Sequence, residues 1–155
     1  MPFRERLLAG IGGGLLGGVV FALLLQMAGR IENVALLIAD EASMAMGWIT
    51  LLVITGVLGI VYAATFGRLG HTWRTGPMLG LAHGVIWWVL GVLLIMPAMQ
   101  ASEFGVFTEA TWLNLLGYAL YGLIVGVVTT VMTPGTARAE SQLTTEHQDG
   151  ETSMS

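Results

Sequence analysis

The chain alternates long apolar runs with short polar ones. The apolar runs are Leu7–Gly29, Ala45–Phe66, Pro77–Met99 and Trp112–Met132. Each is about 20 residues long, the length a helix needs to cross a hydrocarbon core of about 30 Å. Lipid offers no hydrogen-bond partners to a backbone, so segments of this kind are predicted to be helices. The first run is longer than the apolar part of a secretory leader, and no A-x-A-like cleavage site follows it. It is therefore read as a retained span. These runs predict an all-α, polytopic membrane protein: a bundle of four transmembrane helices over residues 1–133, followed by a disordered polar tail over 134–155. The tail has no periodic apolar face, Pro134-Gly135 is a natural helix stop, and His147 within it is expected to be solvated.

The polar links set the expected orientation. Arg4 and Arg6 precede the first span, Arg68 and Arg74 separate the second from the third, and Arg138 follows the fourth; Arg30 alone falls on the other side. By the positive-inside rule, both termini are expected in the cytoplasm and the protein in the cell membrane. The opposite loops carry Glu32, Asp40, Glu41, Glu103 and Glu109. Trp48 and Trp112 open spans at the outer interface, and Trp73 stands at the inner one. In the first outer loop, Val34, Leu37 and Ile38 are spaced like a helix face. Two readings stand: a short surface helix, or a loop packed over the bundle.

Composition narrows the class. Only 10% of the residues are charged and the mean hydropathy is +0.78, against about 25% charged in soluble domains. There is no cysteine, which excludes disulfides and thiolate metal sites. With a net charge of −4 held mostly in loops and tail, no nucleic-acid partner is expected. The expected partners are the bilayer itself and either further copies of the chain or other members of a membrane complex.

Small residues four apart occur in every span: Gly10/Gly14/Gly18, Gly59/Ala63, Gly80/Gly84 and Gly122/Gly126. Such pairs let helices approach closely and are expected to pack the bundle. "GIGGG" follows no strand and lies inside a span, so it is not a nucleotide loop. A parallel repeat of two helices is also readable. Residues 10–29 can be laid on 80–99, with Gly10 on Gly80 and Gly14 on Gly84. Residues 47–61 can be laid on 111–125, with Trp48 on Trp112.

His83 is the one titratable side chain well inside a span, about six residues in and so roughly 9 Å deep. At similar depth the other spans offer Tyr62, Tyr121 and glycines. An ionisable group in a span faces the interior and has a partner, so a His83–Tyr62 or His83–Tyr121 hydrogen bond is expected. Three readings of His83 compete. It is a neutral ring satisfied by a tyrosine or a backbone carbonyl, a position on a small transport path, or an axial ligand of haem or chlorophyll. His83 and Trp87 have the His-x-x-x-Trp spacing of antenna polypeptides, but no second membrane histidine exists for a bis-His haem. Met78 and Met96, at helical spacing, are read as packing. Trp87 and Trp88 lie about 100° apart, so one is expected inside and the other against lipid or a partner. Met96-Pro97 predicts a kink or stop, and Gln26, Thr50 and Asn114 are expected to bond across helices, the alternative being a polar outer vestibule. No H-E-x-x-H, G-x-S-x-G or converging acids are present, so no enzyme, metal site or cofactor is expected.

The segments "GLAHGVIWWVLGVLLIMP" and "LLGYALYGLIVGVV" carry a resemblance. They are similar to a group of small four-span prokaryotic membrane proteins with the pattern G-x-x-x-G-x-x-W-W-x-x-G-x-x-x-x-M-P and a final span containing Y-G-x-x-x-G. The pattern falls on Gly80, Gly84, Trp87, Trp88, Gly91, Met96 and Pro97, then on Tyr121, Gly122 and Gly126, and covers about the C-terminal half. The resemblance implies an architecture and no activity. A tyrosine is usual in that group at the place of His83, which implies a polar ring there rather than a metal ligand. The leading expectation is a non-enzymatic assembly subunit or self-associating bundle. The alternatives are a small transporter with its polar path near His83, Tyr62 and Tyr121, or a haem- or pigment-binding subunit.

Overall fold

The computed structural model describes residues 3–67, 69, 73–95 and 109–132. Arg68, Met96, Pro97, Glu103, Arg138 and the tail with Pro134, Gly135 and His147 lie outside the described residues. Every regular element described is helical: α1 (Phe3–Met27), α2 (Ile31–Ala35), α3 (Met44–Thr65), α4 (Thr75–Trp88), which runs on as a π-helical segment (Val89–Ile95), and α5 (Glu109–Met132). Four helical stretches are long and apolar enough to cross a membrane: Phe3–Met27, Met44–Thr65, Thr75–Ile95 and Thr111–Met132. Their outward faces carry Leu16, Val53, Val57, Ile86, Leu116 and other large exposed apolar side chains. An apolar exterior over an apolar interior is the signature of a helix whose solvent is lipid.

The helices pack in the order α3–α1–α5–α4, and glycine sets each contact along that row. A Cβ on Gly10 would strike the Gly59 carbonyl oxygen and the Ala63 Cβ, and one on Gly14 would lie 3.1 Å from the Gly59 Cα. That is the α1–α3 contact. A Cβ on Gly80 would strike the Gly122 carbonyl oxygen, and one on Gly84 the Tyr118 carbonyl oxygen. That is the α4–α5 contact. With no hydrophobic force between helices in lipid, such backbone-to-backbone approach supplies the dispersion that holds them.

The two pairs are packed in the same way. Gly10 meets Gly59 as Gly80 meets Gly122, and Gly14 meets the Thr55 carbonyl as Gly84 meets that of Tyr118. The first alignment, Gly10 on Gly80, has the register expected from the sequence. The second is displaced by one residue: contacts lay Gly59 on Gly122, whereas laying Trp48 on Trp112 put Gly59 on Leu123. The contact glycines meet the backbone of the partner helix, where a shift of one residue would bring a side chain into collision, so the glycines are the better markers of register.

Between the pairs, α1 presents a second glycine edge. A Cβ on Gly13 would stand 3.2 Å from the Val125 Cα, and one on Gly17 3.0 Å from the Tyr121 carbonyl oxygen. The run "GGGLLGG" therefore serves two neighbours: Gly10, Gly14 and Gly18 face α3, while Gly13 and Gly17 face α5.

The link between α1 and α3 does form a helix, but earlier than the spacing of Val34, Leu37 and Ile38 suggested. Ile31, Val34 and Ala35 are its buried residues, and Ile38 is exposed. A Cβ on Gly47 would strike the Ile31 carbonyl oxygen, so glycine again lets α2 settle onto the start of α3. The turn into it uses Gly29 at φ 66° with Arg30 N–H donating to the Leu25 carbonyl at 2.8 Å, a helix stop that favours glycine.

Gly122→Val is expected to cost about 1–3 kcal/mol, because the added methyls meet backbone that has no rotamer to escape into. Gly12→Ala, whose Cβ would have only the Met132 sulfur at 4.0 Å, is expected to be neutral or to stabilise by up to about 1 kcal/mol. Unfolding titrations in mixed detergent micelles compare the two.

Candidate functional site: the polar rings between α3 and α4

The fourth side of the bundle, between α3 and α4, is closed by side chains rather than by backbone contact. Its residues follow from the packing register. Gly13 and Gly17 stand three and seven positions after Gly10; at the same offsets from Gly80, α4 carries His83 and Trp87. On the other helix of each pair, Val125 stands three after Gly122 and Tyr62 three after Gly59. Thus the tight α1–α5 contact and the wide α3–α4 contact occupy equivalent places, and rings stand at the second where glycines and a valine stand at the first.

These rings are fully interior. His83 is 2% exposed, and Tyr62 and Tyr121 are 0% exposed. His83 makes edge contacts with Tyr62, Phe66 and Trp87, with centroids 5.3, 6.0 and 6.1 Å away. The structure brings His83 and Tyr62 together as expected at similar depth, but no hydrogen bond joins histidine to tyrosine. His83 Nε2 lies 3.1 Å from the Leu58 carbonyl oxygen. A carbonyl only accepts, so Nε2 carries the proton and donates. The Tyr62 hydroxyl donates to the Gly76 carbonyl at 3.0 Å, and the Tyr121 hydroxyl to the Thr55 carbonyl at 3.0 Å. Each ring thus bonds to backbone of a different helix. His83 and Tyr62 link α4 and α3 reciprocally, and Tyr121 links α5 to α3. Helix carbonyls keep a spare lone pair after their own ladder bond, and in a dry interior they are the acceptors within reach.

Thr55, Thr129 and Thr130 donate to carbonyls one turn back, at 2.8, 2.6 and 2.7 Å, and the Thr129 side chain also lies within bonding reach of Tyr62 on α3. Of the two tryptophans, Trp88 is the interior one, donating to the Thr111 carbonyl at 3.1 Å; Trp87 is partly buried against His83. Met78 is largely exposed. Of the outer polar residues, Gln26 accepts from Trp48 Nε1 at 2.7 Å, an α1–α3 bond. Thr50 is buried but its hydroxyl has no partner, so it supplies no such bond.

Beyond the rings, toward α2, lies a cavity of about 40 Å³ lined by Phe21, Leu25, Val34, Leu37, Leu51, Ile54, Val92, Asn114 and Tyr118. Val92 belongs to the π-helical segment, so the change of winding in the third span borders it. Asn114, one of the three residues of the alternative vestibule reading, lines this cavity, while the π-helical segment had no signal in the sequence, since winding leaves no mark in composition. Gly13, Gly17 and Gly76 were visible in sequence, but not as contact residues. Their signal was the second four-residue spacing hidden in a dense glycine run, and, for Gly76, its place one turn before Gly80. Among the described residues no three His, Asp or Glu side chains converge on a metal-sized site.

No family model, curated protein or solved structure matches the chain.

His83→Phe preserves the ring contacts and removes one hydrogen bond; it is expected to cost about 0.5–1.5 kcal/mol. His83→Ala also opens a void and is expected to cost about 3 kcal/mol. Equal losses in the two variants, measured by unfolding in bicelles, would show that the ring fills no space.

Proposed function

We propose that this integral membrane protein is a non-enzymatic packing or assembly subunit, working as a self-associating bundle or within a membrane complex. One observation carries the reading: His83, Tyr62 and Tyr121, three of the polar rings of the spans, each spend their bonding group on the backbone of a neighbouring helix. Groups so used tie helices together. A transport path or a ligand site needs polar groups that face a lumen or a guest. The resemblance to small four-span prokaryotic membrane proteins belongs to the same reading, since it implies a polar ring at this place. We place the protein in the cell membrane with both termini inside, on the strength of the arginine distribution.

The second reading, a small transporter, is favoured by the cavity between Val92, Asn114 and Tyr118. In that reading the ring layer of His83, Tyr62 and Phe66 is the gate that closes it.

Extraction of native membranes into polymer-bounded discs tests the leading reading. Particles that contain several copies, or the chain with a stoichiometric partner, are expected. Single 16.5 kDa chains without a companion would contradict it, and a visible absorption band lost in His83→Phe would replace it with a cofactor role. Because the chain has no cysteine, single-cysteine variants decide the rest. Ile54→Cys is expected to resist a water-soluble maleimide, whereas labelling would favour transport. Asp40→Cys is expected to label from outside intact cells.

A further inference from the structure

The arginine-bearing end of the bundle holds a charge that no described residue neutralises. Arg6 is 9% exposed, on the same stripe of α1 as Gly10 and Gly14, one turn nearer the N-terminus. Its Nε is buried with no hydrogen-bond partner. Among the described residues no ion pair forms with it; the neighbouring Glu5 is exposed, one position round the helix. Its one specific contact is the Phe3 ring, 5.6 Å from the guanidinium carbon. A ring contact of this kind supplies no anionic acceptor for the guanidinium. Burying a guanidinium without an acceptor costs several kcal/mol, a cost that a paired anion relieves.

Depth identifies the kind of anion. Helix α1 has 25 residues, about 37 Å at 1.5 Å per residue, which exceeds a hydrocarbon core of about 30 Å. The excess at the ends stands among headgroups. Arg6, in the first turn of the helix, is therefore at the level of lipid phosphates, with Arg4, Trp73 and Arg74 at the same end of the bundle. A guanidinium edge matches a phosphate with two parallel N–H···O bonds. We infer that Arg6 is a lipid headgroup site, its guanidinium binding the phosphodiester of an anionic phospholipid at this end of the bundle. The site needs only the membrane placement of the bundle and is independent of its assembly role.

Thermal unfolding of the full chain in nanodiscs of phosphatidylglycerol or phosphatidylcholine tests the site. Phosphatidylglycerol is expected to raise the wild-type melting temperature, and Arg6→Gln to abolish that rise. Arg6→Lys should keep part of it, since an ammonium is a point charge without the fork. Arg4→Gln, at an exposed arginine, should leave it intact. Three results would overturn the inference: no difference between the lipids in wild type, an equal loss in Arg4→Gln, or the same rise from inorganic phosphate added to phosphatidylcholine discs. Should Arg6→Gln fail to fold, native mass spectrometry of wild type and Arg6→Lys decides the matter. Wild type is expected to retain phosphatidylglycerol, with retention on the order of tenfold weaker in Arg6→Lys; equal retention, or none in wild type, would overturn the site.

Discussion

Backbone touching backbone at glycine is the constraint on which the rest of this bundle depends. In water, two apolar helix faces are driven together by the solvent; in lipid that drive is absent, and only close contact and a few hydrogen bonds favour association. Gly10 and Gly14 against Gly59, and Gly80 and Gly84 against Gly122, bring carbonyls and Cα atoms to positions where a single methyl would collide. Gly13 and Gly17 do the same between the two pairs. Three of the four sides of the bundle are thus fixed by the smallest residue.

The fourth side follows from where that rule is broken. At the positions equivalent to Gly13 and Gly17, α4 carries His83 and Trp87, and α3 presents Tyr62 where α5 presents Val125. Rings need width, so α3 and α4 stand apart and are joined by the His83–Leu58 and Tyr62–Gly76 bonds instead. Past the rings the same separation continues as the cavity beside Val92 and Asn114. A histidine inside a span therefore has a structural explanation: it is a spacer whose polar end is satisfied by a helix backbone.

The sequence made the spans, the helix character and the GxxxG edges legible, because length, hydropathy and four-residue spacing are local properties. A backbone carbonyl was one of the two kinds of partner readable for His83; that it would prevail over a tyrosine, and that it would be the carbonyl of Leu58, was not legible. Tyr62 and Tyr121 were the visible polar groups at its depth, but every helix also carries unmarked carbonyls, and one of these lay closer. The dual use of "GGGLLGG" was hidden because two adjacent edges share one run of letters. Arg6 read as one of several topology-setting arginines; only the packing distinguishes it from exposed Arg4. Trp48 and Trp112 suggested a register one residue away from the one the glycine contacts define, because a long side chain can reach a partner from a shifted position, as Trp48 reaches Gln26, whereas a backbone contact at glycine cannot shift.

The measurement that tests this account most directly is solid-state NMR of glycine Cα-labelled protein in bilayers. Short-range cross-peaks are predicted between Gly14 and Gly59 and between Gly80 and Gly126, with the Gly13 Cα close to Val125. Absence of these cross-peaks while the helical shifts persist would contradict it, since the spans would then be held together by something other than glycine backbone contact.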